Sequence, residues 1–168
     1  MHIRGRFFHH LIPRGAHARR AFPQATLDAL QAAIAGGELR HRAQLKLIIE
    51  PSLGWSQLVQ NMTSRGRAHA LFSHYRVWDT EENCGVLLYV NLADHKVEII
   101  ADRAVARLVH RSDWEAVCRS MTQRFAQKQF HDGILAGVQH ANALLEQHFP
   151  QSNDTGRANE VSDRPVLL

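Results

Sequence analysis

Two polar groups in this chain carry residue types suited to chemistry. Asp79-Thr80-Glu81-Glu82-Asn83 precedes the apolar run "GVLLYV", and Asp102-Arg103 follows the run "VEIIA". Carboxylates gathered with an amide make a hard, oxygen-rich set suited to Ca²⁺ or Mg²⁺. A divalent ion held there can bind a phosphate or activate water for its hydrolysis. Arg103 adds a planar guanidinium that matches phosphate oxygens. The competing reading is plain: acids ahead of a strand solubilise a loop, and an aspartate after one caps a turn.

Whether the two groups meet depends on strand register. A hairpin with a four-residue loop, Leu92 to His95, sets Asn91 opposite Lys96 and therefore Asp102 opposite Gly85. Opposed residues lie roughly 5 Å apart. Gly85 has no side chain, which leaves space beside Asp102 for Asn83 and the acids of 79 to 82. A slip of one residue would turn Asp102 to the other face. An earlier strand, "AQLKLIIE" over 43–50, runs parallel to the first arm of the hairpin, so Glu38, His41 and Gln44 join the same edge.

The elements that must position these residues follow from periodicity and punctuation. "FPQATLDALQAAIAGGE" predicts a helix with Thr26 as N-cap and Gly36-Gly37 as its end. Residues 56–75 predict a second helix, with Gly66 as its weak point. Ser112 and Glu115 form a capping box for a helix through Phe125, and "DGILAGVQHANALLEQHF" predicts a last helix stopped by Pro150. A strand–helix–strand unit followed by a tight hairpin gives a mixed sheet. The run "VLLYV" is apolar on both faces, so helices should cover both sides. The predicted class is a three-layer α/β/α sandwich around a small mixed central sheet.

A chain of 168 residues suits one domain. Residues 1–20 form a basic arm with five arginines, four histidines and no acid; residues 21–150 form the domain; residues 151–168 read as a polar tail without a period. The net charge of +4 belongs to the arm, since the remainder carries 15 Lys+Arg against 16 Asp+Glu. Such an arm can meet nucleic acid or an anionic membrane, or simply solubilise a loose terminus. No apolar stretch reaches the roughly 20 residues of a membrane span, and no secretory core is visible. Two cysteines, Cys84 and Cys118, are too few for a disulfide framework, so a cytoplasmic location is expected. The sequon at Asn61 then has no role. Other candidates are less suited to chemistry. His9-His10 sit in the arm, and His131, His140 and His148 belong to a helix surface. Trp55, Trp78 and Trp114 read as packing, and acids near Cys84 should keep it a thiol. No nucleophile–His–acid set, phosphate-cradling glycine loop or zinc spacing is present.

The stretch "VWDTEENCGVLLYVNLADHKVEIIADR" resembles the signature of the TPM domain family, named for a thylakoid lumen phosphatase, a photosystem II repair protein and a modulator of levamisole-sensitive receptors. The resemblance runs from "AFPQATLDALQAAIAGGELRH" through the helix around Trp114 to "LLEQHFP". The tail "NEVSDRPVLL" is similar to that of a bacterial subgroup without an export signal or membrane anchor. The resemblance implies an α/β/α sandwich, divalent-cation binding in some members and acid phosphatase activity in plant relatives. Four positions depart from the subgroup pattern: Gln44 stands in place of a glutamate, Ala43 and Ala104 in place of glycines, and Cys84 in place of an asparagine. The expected function is thus a phosphatase of phosphomonoesters that binds Ca²⁺ or Mg²⁺. Asp79, Asn83, Asp102 and Glu38 would hold the metal, and Asp102 and Arg103 would serve the reaction. The alternative is a non-catalytic module binding a protein partner or an anionic surface.

Overall fold

The computed structural model describes residues 22–52, 62–151 and 159–168. The arm with its histidines, Trp55, Asn61 and the first part of the expected 56–75 helix lie outside the described residues. The elements in chain order are α1 (Gln24–Glu38), β1 (Gln44–Glu50), α2 (Ser64–His74), β2 (Gly85–Asn91) and β3 (Lys96–Ala101). They continue with α3 (Arg103–Leu108), α4 (Arg111–Ala126), α5 (Phe130–His148) and β4 (Val166–Leu167). The sheet order is β3-β2-β1-β4. β1 is parallel to β2 and to β4, while β2 and β3 are antiparallel.

Alternation along the strands sorts side chains into two cores. Leu45, Leu47 and Ile49 of β1 join Val86, Leu88 and Val90 of β2 against α1, α4 and α5, through Leu30, Ile34, Met121, Val138 and Leu145. Ile48, Leu87, Tyr89 and Ile100 face the other way, against Ala68 and Leu71 of α2. Burial of both faces explains why β1 and β2 read as continuous apolar runs. The three-layer sandwich is therefore as expected, and so is the hairpin register, with Asn91 paired to Lys96.

Several local expectations are corrected. Pro23, not Thr26, occupies the N-cap of α1; Thr26 lies inside the first turn, and its hydroxyl shares a 2.9 Å hydrogen bond with His131. The glycine pair does not end α1, which runs on to Glu38. Gly37 is instead a close approach to α5, where a Cβ would lie 2.3 Å from the Asn142 side chain. Ser112 is not a cap: α4 begins at Arg111, capped by the His110 ring, and Glu115 pairs with Arg111. Gly66 is no defect, since its N–H donates to the capping Thr63 hydroxyl at the start of α2. The end of the chain is not a featureless tail either, because Val166–Leu167 adds β4 to the sheet.

The outer edge of β3 borders an open groove of about 630 Å³, lined by Val97, Ile99, Val109, Trp114, Cys118 and Arg65 among others. Asp102 donates its N–H to the Gly85 carbonyl at 2.9 Å. That parity turns the backbone groups of Val97, Ile99 and Ala101 away from β2. Arg65 of α2 reaches over this edge and donates to the Ile99 carbonyl at 2.6 Å.

Candidate functional site

The loop between α2 and β2 is built by tight backbone turns. Asp79 N–H donates to the Arg76 carbonyl at 2.9 Å, and Asn83 N–H to the Thr80 carbonyl at 3.1 Å. Asn83 has φ 53°, a left-handed conformation that asparagine adopts more readily than most residues. The buried Thr80 hydroxyl accepts the Cys84 N–H at 2.9 Å and fixes the entry to β2.

Asn83 and Asp102 do meet at one edge of the sheet. The Asn83 backbone carbonyl accepts the Ala104 N–H at 3.1 Å, and its side-chain oxygen accepts from the Arg103 guanidinium. Asp102 caps α3 by accepting the Arg103 N–H through Oδ1 at 2.7 Å. Its other oxygen, Oδ2, is buried without a hydrogen-bond partner among the described residues. An unpartnered buried carboxylate oxygen is costly, so this atom marks a position where a donor or cation would be welcome.

The space expected beside Gly85 is not open. A Cβ on Gly85 would sit 1.8 Å from the Val77 carbonyl oxygen, so glycine is required there by the close passage of the Val77 backbone. The remaining acids are engaged separately. Asp79 is half exposed and paired with Arg76 at 2.5 Å, and Glu82 accepts from Arg42 at 2.6 Å. Glu38 accepts the Leu45 N–H at 2.8 Å. Burial, reinforced by the nearby Asp163 carboxylate, pushes the Glu38 pKa up to about 8 despite that hydrogen bond. A largely protonated carboxyl is a poor cation ligand at neutral pH. His41 is buried between the Ala43 carbonyl and the Asn142 side chain, at 3.0 and 3.2 Å. Burial is the main cause that lowers its pKa, so it serves as a neutral internal link.

Among the described residues, no three His, Cys, Asp or Glu side chains are close enough to hold a metal ion. Of the four expected ligands, Asp102 and Asn83 share one corner, while Asp79 and Glu38 are turned to other partners. Only Asp102 and Asn83 of the expected donor set therefore come together, and of the Asp102 oxygens Oδ2 stands without a hydrogen-bond partner among the described residues. Arg103 stands beside it with a mostly exposed side chain. Cys84 is buried and its thiol donates to the Arg42 carbonyl at 3.3 Å, which leaves it a structural role.

Sequence reasoning missed what the C-terminal segment 159–168 does. Gln44 Oε1 accepts the N–H groups of both Glu160 and Val161 at 2.9 Å. Lys46 donates to the carbonyls of Ser162 and Arg164 at 2.7 and 2.9 Å, and the Glu160 carboxylate accepts the Glu81 N–H at 3.0 Å. A signal was present: Gln44, Lys46 and Glu50 alternate along a strand buried on both faces, and each buried polar group needs a partner. Glu50 finds its own at the far end of β1, accepting from Arg67 and from the Tyr89 hydroxyl at 2.6 Å.

The comparisons with known proteins agree with this architecture. The chain is similar in fold to the BA42 protein from the psychrophilic bacterium Bizionia argentinensis, solved by NMR, with a TM-score of 0.74 and 21% sequence identity. That likeness covers 86% of this chain and 93% of the other. No curated protein matches the sequence. The family description "TPM domain" matches residues 18–144, most of the chain and all of the helix and strand framework through α4. The protein belongs to the TPM domain family.

Proposed function

We propose that this TPM domain binds a divalent cation, Ca²⁺ or Mg²⁺, at the Asp102 corner, and hydrolyses a phosphomonoester held there. One observation carries the reading: Asp102 Oδ2 is buried and unpartnered beside Asn83 and Arg103. Asp102 would supply the anionic ligand and Asn83 a neutral oxygen, and a bound cation would polarise a phosphoryl oxygen. Arg103 is exposed enough to swing toward the non-bridging oxygens of the substrate. Hydrolysis consumes one water and releases an alcohol and inorganic phosphate.

A second reading has an observation of its own. Asp79, Glu82 and Glu38 are each satisfied by Arg76, Arg42 and the Leu45 N–H, which is what a non-catalytic interaction module would show. Reduced thiols at Cys84 and Cys118 support a reducing, cytoplasmic setting for either role. Among the described residues, no helix is long and apolar enough to cross a membrane.

Thermal melts with and without Ca²⁺ or Mg²⁺, beside a panel of model phosphomonoesters, separate the two. At a hundredfold excess over Kd a cation should stabilise the fold by about 2.7 kcal/mol, a rise of several degrees in Tm. Asp102→Asn keeps an N-capping side chain but removes the charge. Its cation-dependent shift should vanish. Equal cation responses in wild type and Asp102→Asn would exclude Asp102 as a ligand. No response in either at millimolar cation, with no phosphate released, leaves the interaction module.

A further inference from the structure

The contacts of residues 159–168 converge on the same corner from the opposite side. Gln44 is in register with Gly85, and the Gly85 carbonyl holds the Asp102 N–H. From Gln44 the connection passes to the Glu160 and Val161 N–H groups, and from the Glu160 carboxylate to the Glu81 N–H. Glu81 belongs to the loop whose other end, Asn83, is tied to Arg103 and Ala104. The loop is therefore tied toward α3, toward the C-terminal segment and, through Glu82, to Arg42 ahead of β1.

We infer that the C-terminal segment is a clasp that sets the Asp79–Cys84 loop for ligand binding at Asp102, with Glu160 and Gln44 as positioning residues. The inference rests on the cation-site reading above. A plug would occupy the orphaned oxygen, but among the described residues, those of the segment included, Asp102 Oδ2 has no partner. The anchoring is distributed: Lys46 takes two carbonyls of the segment, Val161 is buried, and β4 continues along β1 to a 3.0 Å bond from Leu168 N–H to the Ile49 carbonyl. Loss of one side chain at the near end should leave the strand in place. Gln44 suits its role because one amide oxygen accepts two backbone N–H groups without adding a charge beside Glu160.

The experiment uses the full chain as Glu160→Ala, Glu160→Gln and wild type, with two readouts. Amide hydrogen exchange in metal-free protein reports the loop, and Ca²⁺ titration reports the corner. Glu160→Ala should speed exchange at Glu81 while leaving Asp102 N–H protected, and should weaken Ca²⁺ binding roughly tenfold, the low end of what losing an outer-shell partner costs. Glu160→Gln keeps an acceptor oxygen and should restore both. Unchanged Glu81 exchange in Glu160→Ala would overturn the clasp outright. Tighter Ca²⁺ binding would make the segment a plug, and a loss in Glu160→Gln equal to that in Glu160→Ala would make Glu160 a direct ligand. If wild type binds no Ca²⁺, the cation reading fails, while Glu81 exchange still decides whether the loop is held.

Discussion

Glu38 shows how far a residue's surroundings can move it from the role its type suggests. Its carboxyl holds a proton up to about pH 8 because burial disfavours the charge and Asp163 lies close by. The folded form thus binds that proton more tightly than the unfolded chain, whose value is near 4.5. The contribution to stability is complete below about pH 4.5 and is lost as pH rises through 8. Denaturant melts across that window should show Glu38→Gln flattening the loss, by an amount on the order of a few kcal/mol between its ends. A variant as pH-dependent as wild type would mean that Glu38 ionises freely in the fold. At this scale the sequence was half legible. Residue type and register put Asp102 and Asn83 together, but nothing in spacing alone reveals that Glu38 faces Asp163 across 125 positions of chain.

Elements were more legible than the residues at their ends. Helices and strands follow from apolar periodicity, which survives small errors, whereas a cap depends on one rotamer and one neighbour. Thr26 and Ser112 have the right chemistry for caps, yet Pro23 and His110 hold those places. β4 escaped notice because two residues cannot display a period; it is held by pairing with Ile48 and Ile49, while Gln44 and Lys46 hold the residues that lead into it. Glycines mislead for a related reason, since a close approach and a helix stop call for the same residue. Gly85→Ala makes that distinction measurable. Its new methyl would overlap the Val77 carbonyl against a central strand, so a loss of about 3 kcal/mol or more is expected in urea unfolding. A loss under about 1 kcal/mol would mean that the Val77 turn gives way easily.

For the whole molecule, the layered fold was legible because it needs only the order of elements and the two-sided burial of β1 and β2. The parallel β1–α2–β2 crossover and the returning β3 leave few arrangements open. What the sequence could not give is how the two ends of the sheet are divided in labour. At one end Glu50 accepts from both Arg67 and Tyr89; at the other, Asp102 keeps an oxygen in reserve among the described residues.

The two borders of the sheet are finished differently, and this bears on how the protein behaves when crowded. On the β1 side, β4 covers the strand. On the β3 side, among the described residues, the reach of Arg65 to the Ile99 carbonyl interrupts a row of outward backbone groups. An uncovered strand border is a template on which another molecule can lay its own. The guanidinium acts as a gatekeeper, burying one acceptor and setting a charge in the path of an approaching strand. Arg65→Ala should fold normally yet self-associate as concentration rises, by light scattering or sedimentation, while wild type stays dispersed. Arg65→Lys should fall between them, and a variant that remains monomeric at millimolar concentration would show that the neighbouring helix guards this border without help.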